Sequence, residues 1–324
     1  MRYRMKKIEP IANPEENKQS IMQFKAGHVD LAHWKSLTMN LYSHNSVLSF
    51  QNDWQTFVDY CKEVNVSALP AAVTAVRRFI EHRSKTRKIS SIKRYVITIS
   101  LLHRVHGLPD PTRHREVRFT LYRLYSEKAD DAAQANAFHL SHLNALQQKL
   151  GSSDRLKDIR DLLIWTLCFE GMLKRSELAA LTCHSIQKDA EGYMLVVDDQ
   201  RIELSPEAGE LIDHWFLVSC IADGPLLRRI NKHEQLGDLP MDHSSIYRVF
   251  RRAATELGLE STLTFSGQSP RVGASVDLSD SGKSIKEIQQ QGRWKSPAMP
   301  AQYVGNKQAK NEAMEQFKRK IEKD

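Results

Sequence analysis

Between Ser266 and Tyr303 the chain reads SGQSPRVGASVDLSDSGKSIKEIQQQGRWKSPAMPAQY, a stretch that admits few arrangements. Ser269 can cap a helix whose first residue is Pro270, because proline's fixed φ and missing N–H suit that position. The same start sets Arg271 beside unbonded backbone N–H groups, a natural place for a phosphate. Lys283–Gln291 predicts a second short helix, ended by Gly292, so that Trp294 covers whatever the two helices enclose. Gln268 in the preceding turn and the tyrosine at 303 complete the group.

The rest of the 324 residues divides into two candidate domains, each long enough for its own core. Residues 1–30 are polar, carry Pro10 and Pro14, and are expected to form a loose arm. A helical domain follows over 31–130. Trp54, Phe57, Val58 and Cys61 share one face of a helix capped near Ser46, and Ala71–His82 forms a second helix. Ser90 or Ser91 opens a third, with Ile92, Val96, Ile99 and Leu102 at helical spacing. Gly107-Leu-Pro-Asp-Pro111 breaks it and Glu116–Lys128 resumes as helix, before a linker at 129–137.

The second domain, 138–305, opens with helices at Ser141–Leu150 and Leu156–Phe169. One small antiparallel sheet is expected from Ser185–Lys188, Tyr193–Val197 and Arg201–Leu204, with Asp198-Asp199-Gln200 as its tight turn. Helices return at Pro206–Val218 and Ser244–Leu257. The fold class is therefore mostly α with a small sheet.

Charge and composition narrow the partners. A formal net charge of +8 suits a polyanion, since neutralising phosphates releases counterions. Arg83, Lys85, Arg87, Lys88, Lys93 and Arg94 crowd one helix start, where Ser90, Ser91, Arg94 and Tyr95 are expected to point outward. Cations clamp phosphates there while small hydroxyls read base edges. Ser244, Arg248, Arg251 and Arg252 form a second basic face, with Ile246, Val249, Phe250 and Ala253 turned inward. Two solvated faces explain the same pattern. Cys61, Cys168, Cys183 and Cys220 lack paired spacing and read as buried hydrophobes in a reducing compartment, not as a metal site or disulfide set. Without an apolar run of membrane-spanning length or an apolar signal core, a cytoplasmic protein is expected.

Gln268, Arg271, Trp294 and Tyr303 fall at the spacing of the tyrosine recombinase motif: His-x-x-Arg, then a Gly-Gly-Trp-like triplet, then tyrosine. Upstream, Gly171–Leu178 (GMLKRSEL) is similar to that family's Leu-Arg-x-x-Glu-Leu helix start, with Glu177 as the carboxylate. The chain thus resembles the tyrosine recombinase (phage integrase) family, most closely its Cre type, from about residue 30 onward. That resemblance implies a SAM-like core-binding domain followed by a catalytic-type domain, closing on duplex DNA as a C-shaped clamp. It also implies attack by Tyr303 on a phosphodiester through a 3′-phosphotyrosyl link, with Arg271 and Trp294 on the phosphate and no metal or other cofactor. The segment 306–324 would be a C-terminal helix whose Met314, Phe317 and Ile321 dock on a neighbouring protomer; packing on its own domain fits the residues equally.

Three positions depart from the family pattern. Lys174 aligns with the first arginine; it lacks the planar two-pronged contact, and Arg175 lies about 100° further round a helix. Gln268 replaces histidine and cannot carry a proton at neutral pH. The family's general-acid lysine belongs in the sheet turn, which here holds Asp198 and Asp199, with Arg201 the nearest cation and a poor proton donor. Losing one such donor costs about 3–4 kcal/mol of barrier. The expectation is a site-specific DNA-binding protein with impaired or lost cleavage, serving as a regulator, a partition or replication factor, or a recombination accessory. An active recombinase and a topoisomerase-like relaxase are the alternatives. On the residues alone, Tyr303 and Trp294 serve equally as packed aromatics, and Arg271 as a plain phosphate anchor.

Overall fold

The computed structural model describes residues 8–128 and 134–305, which form two compact units dividing between 133 and 134. The linker residues 129–133 and the proposed C-terminal helix lie outside the described residues.

The first unit is helical: α1 (Pro14–Ala26), α2 (Leu31–Leu37), α3 (His44–Glu63), α4 (Val73–Ser84), α5 (Ile89–Val105) and α6 (Arg115–Glu127). The loose arm expected over 1–30 is corrected from residue 8 onward. Asn13 Oδ1 accepts from the Glu15 and Glu16 amides at 3.0 and 3.3 Å, and Pro14 follows at the first helical position. Phe24 is fully buried, edge-on to Trp34 at 4.9 Å, and its carbonyl accepts the Trp54 indole N–H at 2.8 Å. α1 buries only Ser20 and Phe24, so it lacks the apolar stripe that would have marked it. Trp54, Phe57, Val58 and Cys61 line the core side of α3, whose cap is Ser43, its Oγ accepting from the Ser46 amide at 3.3 Å.

The second unit is built around α8 (Leu156–Glu170), in which every residue from Asp158 to Cys168 is buried. Against it pack α7 (Leu140–Leu150), α10 (Pro206–Ser219) and α12 (Ser269–Asp280). The short α9 (Arg175–Ala180) leads to the three-stranded antiparallel sheet β1 (Ile186–Lys188), β2 (Tyr193–Val197) and β3 (Gln200–Glu203). Val197 pairs with Gln200, leaving a two-residue turn at Asp198 and Asp199, both at positive φ (49° and 62°). That backbone matches the right-handed twist of the flanking strands. A second antiparallel pair, β4 (Arg228–Ile230) with β5 (Leu236–Pro240), was not expected from the sequence. Its strands carry Gly237, Asp238 and Pro240 and show no apolar alternation. The chain closes with α11 (His243–Glu256), α13 (Ile285–Gln291) and α14 (Ala298–Val304).

Cys61, Cys168 and Cys183 are buried thiols, but Cys220 is exposed at the left-handed end of α10, correcting its expected place in a core. Among the described residues no group of side chains could hold a metal ion, and no helix is long and apolar enough to cross a membrane.

Candidate active site

The candidate site forms where α12, α13 and α14 meet the turn before α9. α12 starts at Ser269, not at the expected Pro270: Gln268 holds the cap position without a side-chain hydrogen bond, Ser269 Oγ accepts from the Ser266 amide at 2.9 Å instead of capping, and Gly273 lets the chain at Phe138 lie against the helix. A Cβ on Gly273 would stand 1.8 Å from the Phe138 carbonyl oxygen. Arg271 is 3% exposed. Its guanidinium donates to the Met172 carbonyl and, at 2.8 Å, to the Gly292 carbonyl. The Trp294 ring lies over it, 4.2 Å from Cζ to ring centroid. Burial holds the Arg271 guanidinium below its ordinary pKa, against the opposing pull of Glu177.

Trp294 folds back over Gly292, where a Cβ would meet the indole at 1.9 Å, so only glycine fits. Trp294 and Tyr303 meet edge-on at 5.8 Å. Tyr303 is 6% exposed, and its hydroxyl donates to Gln268 Oε1 at 3.5 Å, the outer limit of a hydrogen bond. Burial raises the Tyr303 pKa, while the Arg271 charge pulls it down. The Tyr303 carbonyl accepts from Gln134 Nε2 at 3.3 Å, tying the end of α14 to the start of the unit.

Glu177, at the third position of α9, reaches back to the Lys174 amide at 2.8 Å and accepts from Lys174 Nζ. Burial pushes its carboxyl up, but the hydrogen bonds from Lys174 and Arg293 outweigh that and hold it below the usual range. Lys174 is thus engaged with Glu177. Arg175 is exposed, its stem beside Gly267, where a Cβ would lie 3.6 Å from that of Arg175. Arg293, not singled out from the sequence, donates to Glu177 Oε2 at 2.8 Å and to the Gly171 carbonyl at 3.0 Å. The signal available was its place inside the Gly-Arg-Trp triplet.

The family model described as the phage integrase family matches residues 140–310, more than half of the chain. The chain belongs to the phage integrase family. Among its relatives, recombinase cre of Escherichia phage P1 is 27% identical over 295 residues, covering 83% of this chain and 85% of the relative. An integrase/recombinase xerD homolog of Selenomonas ruminantium is 23% identical over 278 residues, 80% of this chain and 81% of the relative. XerH site-specific recombinase, solved on its palindromic difH substrate, aligns at TM-score 0.62 and 11% identity, with 85% of this chain and 81% of XerH covered. A lambda integrase dimer on a COC′ core site aligns at 0.59 and 14%, with 85% and 94% covered. These likenesses establish the tyrosine recombinase fold and the Cre-type resemblance.

The two basic faces of this integrase-family chain are only partly free. Lys85, Arg87, Lys88, Ser90 and Lys93 are exposed around the start of α5, while Ser91 and Arg83 are half-buried. Lys93 also lies 4.4 Å from the Tyr125 ring centroid. One outward assignment is corrected. Tyr95 is 5% exposed and packs on Phe79 at 5.2 Å, because three residues from Ile92 and four from Ile99 is the core face. Arg94 is exposed, as expected, but its guanidinium is engaged in two prongs by buried Asp53 at 2.6 and 2.9 Å. On α11, Ser244, Arg248 and Arg251 are exposed. Arg252 instead turns inward to Asp158, to Asp161 at 2.9 Å and to Glu256 at 3.1 Å. Both carboxylates it joins on α8 are buried, so the charge serves the core.

Proposed function

We propose that this chain is a site-specific double-stranded DNA-binding protein of the tyrosine recombinase family whose phosphate pocket is retained and whose strand cleavage is impaired. The observation that carries the reading is the Tyr303 hydroxyl facing Gln268. A side chain that accepts a hydrogen bond but takes no proton at neutral pH stands where the phenol must lose one. The hairpin turn adds to it: Asp198 and Asp199 are exposed carboxylates, and Arg201 Nη2 is held by Gln187 Oε1 at 2.8 Å. Binding is supported by the exposed cations at the α5 start and on α11, and by the DNA complexes of XerH and lambda integrase. Head-to-tail assembly through Met314, Phe317 and Ile321, and a nucleoid- or plasmid-associated role, belong to the same proposal. The second reading, an active recombinase, is favoured by Arg271, whose charge next to Tyr303 lowers the cost of the phenolate.

A duplex selected by the protein from a random-sequence pool, nicked so that cleavage releases a short strand irreversibly, separates the two. The proposed reading expects retained binding and no covalent adduct from either the wild type or Tyr303→Phe. An adduct that forms with the wild type and vanishes in Tyr303→Phe refutes impairment and establishes the recombinase. Loss of all preference for duplex DNA refutes both.

A further inference from the structure

Lys174 leaves the pocket short of a guanidinium, yet a second one is present from another element. Arg293 follows the last turn of α13. The Trp294 amide donates to the Gln289 carbonyl at 3.0 Å, which places Arg293 where helix ends favour glycine, at φ 55°. A left-handed arginine costs on the order of 1 kcal/mol that glycine would not, and such strain persists where the surroundings fix it. What fixes it here is the pocket. The Arg293 side chain is 5% exposed, and Nη2 donates to Glu177 Oε2 at 2.8 Å and to the Met172 carbonyl at 3.3 Å. Arg271 donates to that same Met172 oxygen, so two guanidinium groups converge on one atom. Arg293 Nε is buried and has no acceptor among the described residues. Arg271 and Arg293 are buried with the single carboxylate of Glu177, while Lys174 pairs with it from a half-exposed position, which leaves one buried positive charge uncompensated among the described residues. A buried positive excess of this kind is completed by an anion.

We propose that Arg293 is a positioning residue of the phosphate pocket: it supplies the guanidinium that the Lys174 position lacks, holding Glu177 and the Gly171–Met172 carbonyls so that Arg271 faces an incoming phosphate group. The assignment rests on the phosphate pocket of the proposed function. It makes Arg293 and position 174 interchangeable sources of one guanidinium.

The test uses the full chain and inorganic phosphate. Binding is followed by the Trp294 indole N–H resonance, assigned by its loss in Trp294→Phe, while the other four indole signals report the fold. Removing a unit charge from the pocket should weaken phosphate by about tenfold or more in Arg293→Gln. Arg293→Lys, which keeps charge but not the forked contacts to Glu177 and the Gly171 and Met172 carbonyls, should fall between wild type and Arg293→Gln. Lys174→Arg combined with Arg293→Gln should recover most of the loss, a non-additivity that a merely structural arginine would not produce. Phosphate affinity unchanged in Arg293→Gln, or a double variant no tighter than the single, overturns the assignment while leaving the pocket standing. A wild-type Trp294 signal indifferent to phosphate overturns the pocket as well.

Discussion

Replacing Arg252 by methionine separates a structural charge from a DNA-facing one. Its guanidinium side chain is 16% exposed and joins Asp158, 5% exposed, and Asp161, fully buried. Burial opposes the Arg252 charge, but the hydrogen bonds and charges of the two aspartates outweigh it and hold the guanidinium above its ordinary pKa. Removing one partner of a buried ion pair costs about 3–5 kcal/mol, because the remaining charges stay desolvated. Here Arg160 still donates to Asp161 at 2.7 and 3.0 Å, and Ser153 to Asp158 at 2.7 Å, so the lower end applies. A loss of about 3 kcal/mol lowers the Tm of a unit this size by roughly 6–12 °C. The deficit should shrink on acidification. The folded Asp158 pKa lies below its unfolded value near 3.8, so its paired stability is present above that value and lost as pH falls through the folded one. Without Arg252 the Asp158 carboxylate takes up its proton earlier, and the two melting curves approach each other below about pH 4. The assays are calorimetry across pH and the salt dependence of binding to a duplex. Arg248→Ala and Arg251→Ala are the controls: each should leave Tm nearly unchanged and reduce the salt slope by about one. An Arg252→Met protein with wild-type Tm and a reduced salt slope would refute the structural assignment.

Two further outcomes follow from the corrected fold. Phe24→Ala should destabilise the first unit by about 3–5 kcal/mol, seen as loss of its denaturation transition, whereas a residue in a loose arm would change nothing. A disulfide reagent at neutral pH should modify Cys220 rapidly and the other three thiols only on unfolding. Burial pushes Cys61 up to about 12 and raises Cys168 and Cys183 as well, so little thiolate exists in the fold; more than one fast thiol would contradict the packing.

Much of this was local and therefore legible in the sequence. The α3 face, the break at Gly107–Pro111, the Asp198–Asp199 hairpin and the Ser-Pro-Arg helix start each depend on residues within one or two turns of one another. Tyr95 was legible too, since its spacing from Ile92 and Ile99 placed it inward, and only the attraction of the neighbouring charges drew it outward. What the tertiary structure alone decided is which charges face solvent. Arg252 looks no different in sequence from Arg251. It turns inward because a buried aspartate 91 residues away awaits it, and a desolvated carboxylate must be paired. Arg293 belongs to the same class. Its role depends on Glu177, 116 residues earlier, and no local pattern carries information about a partner that only folding brings within 2.8 Å.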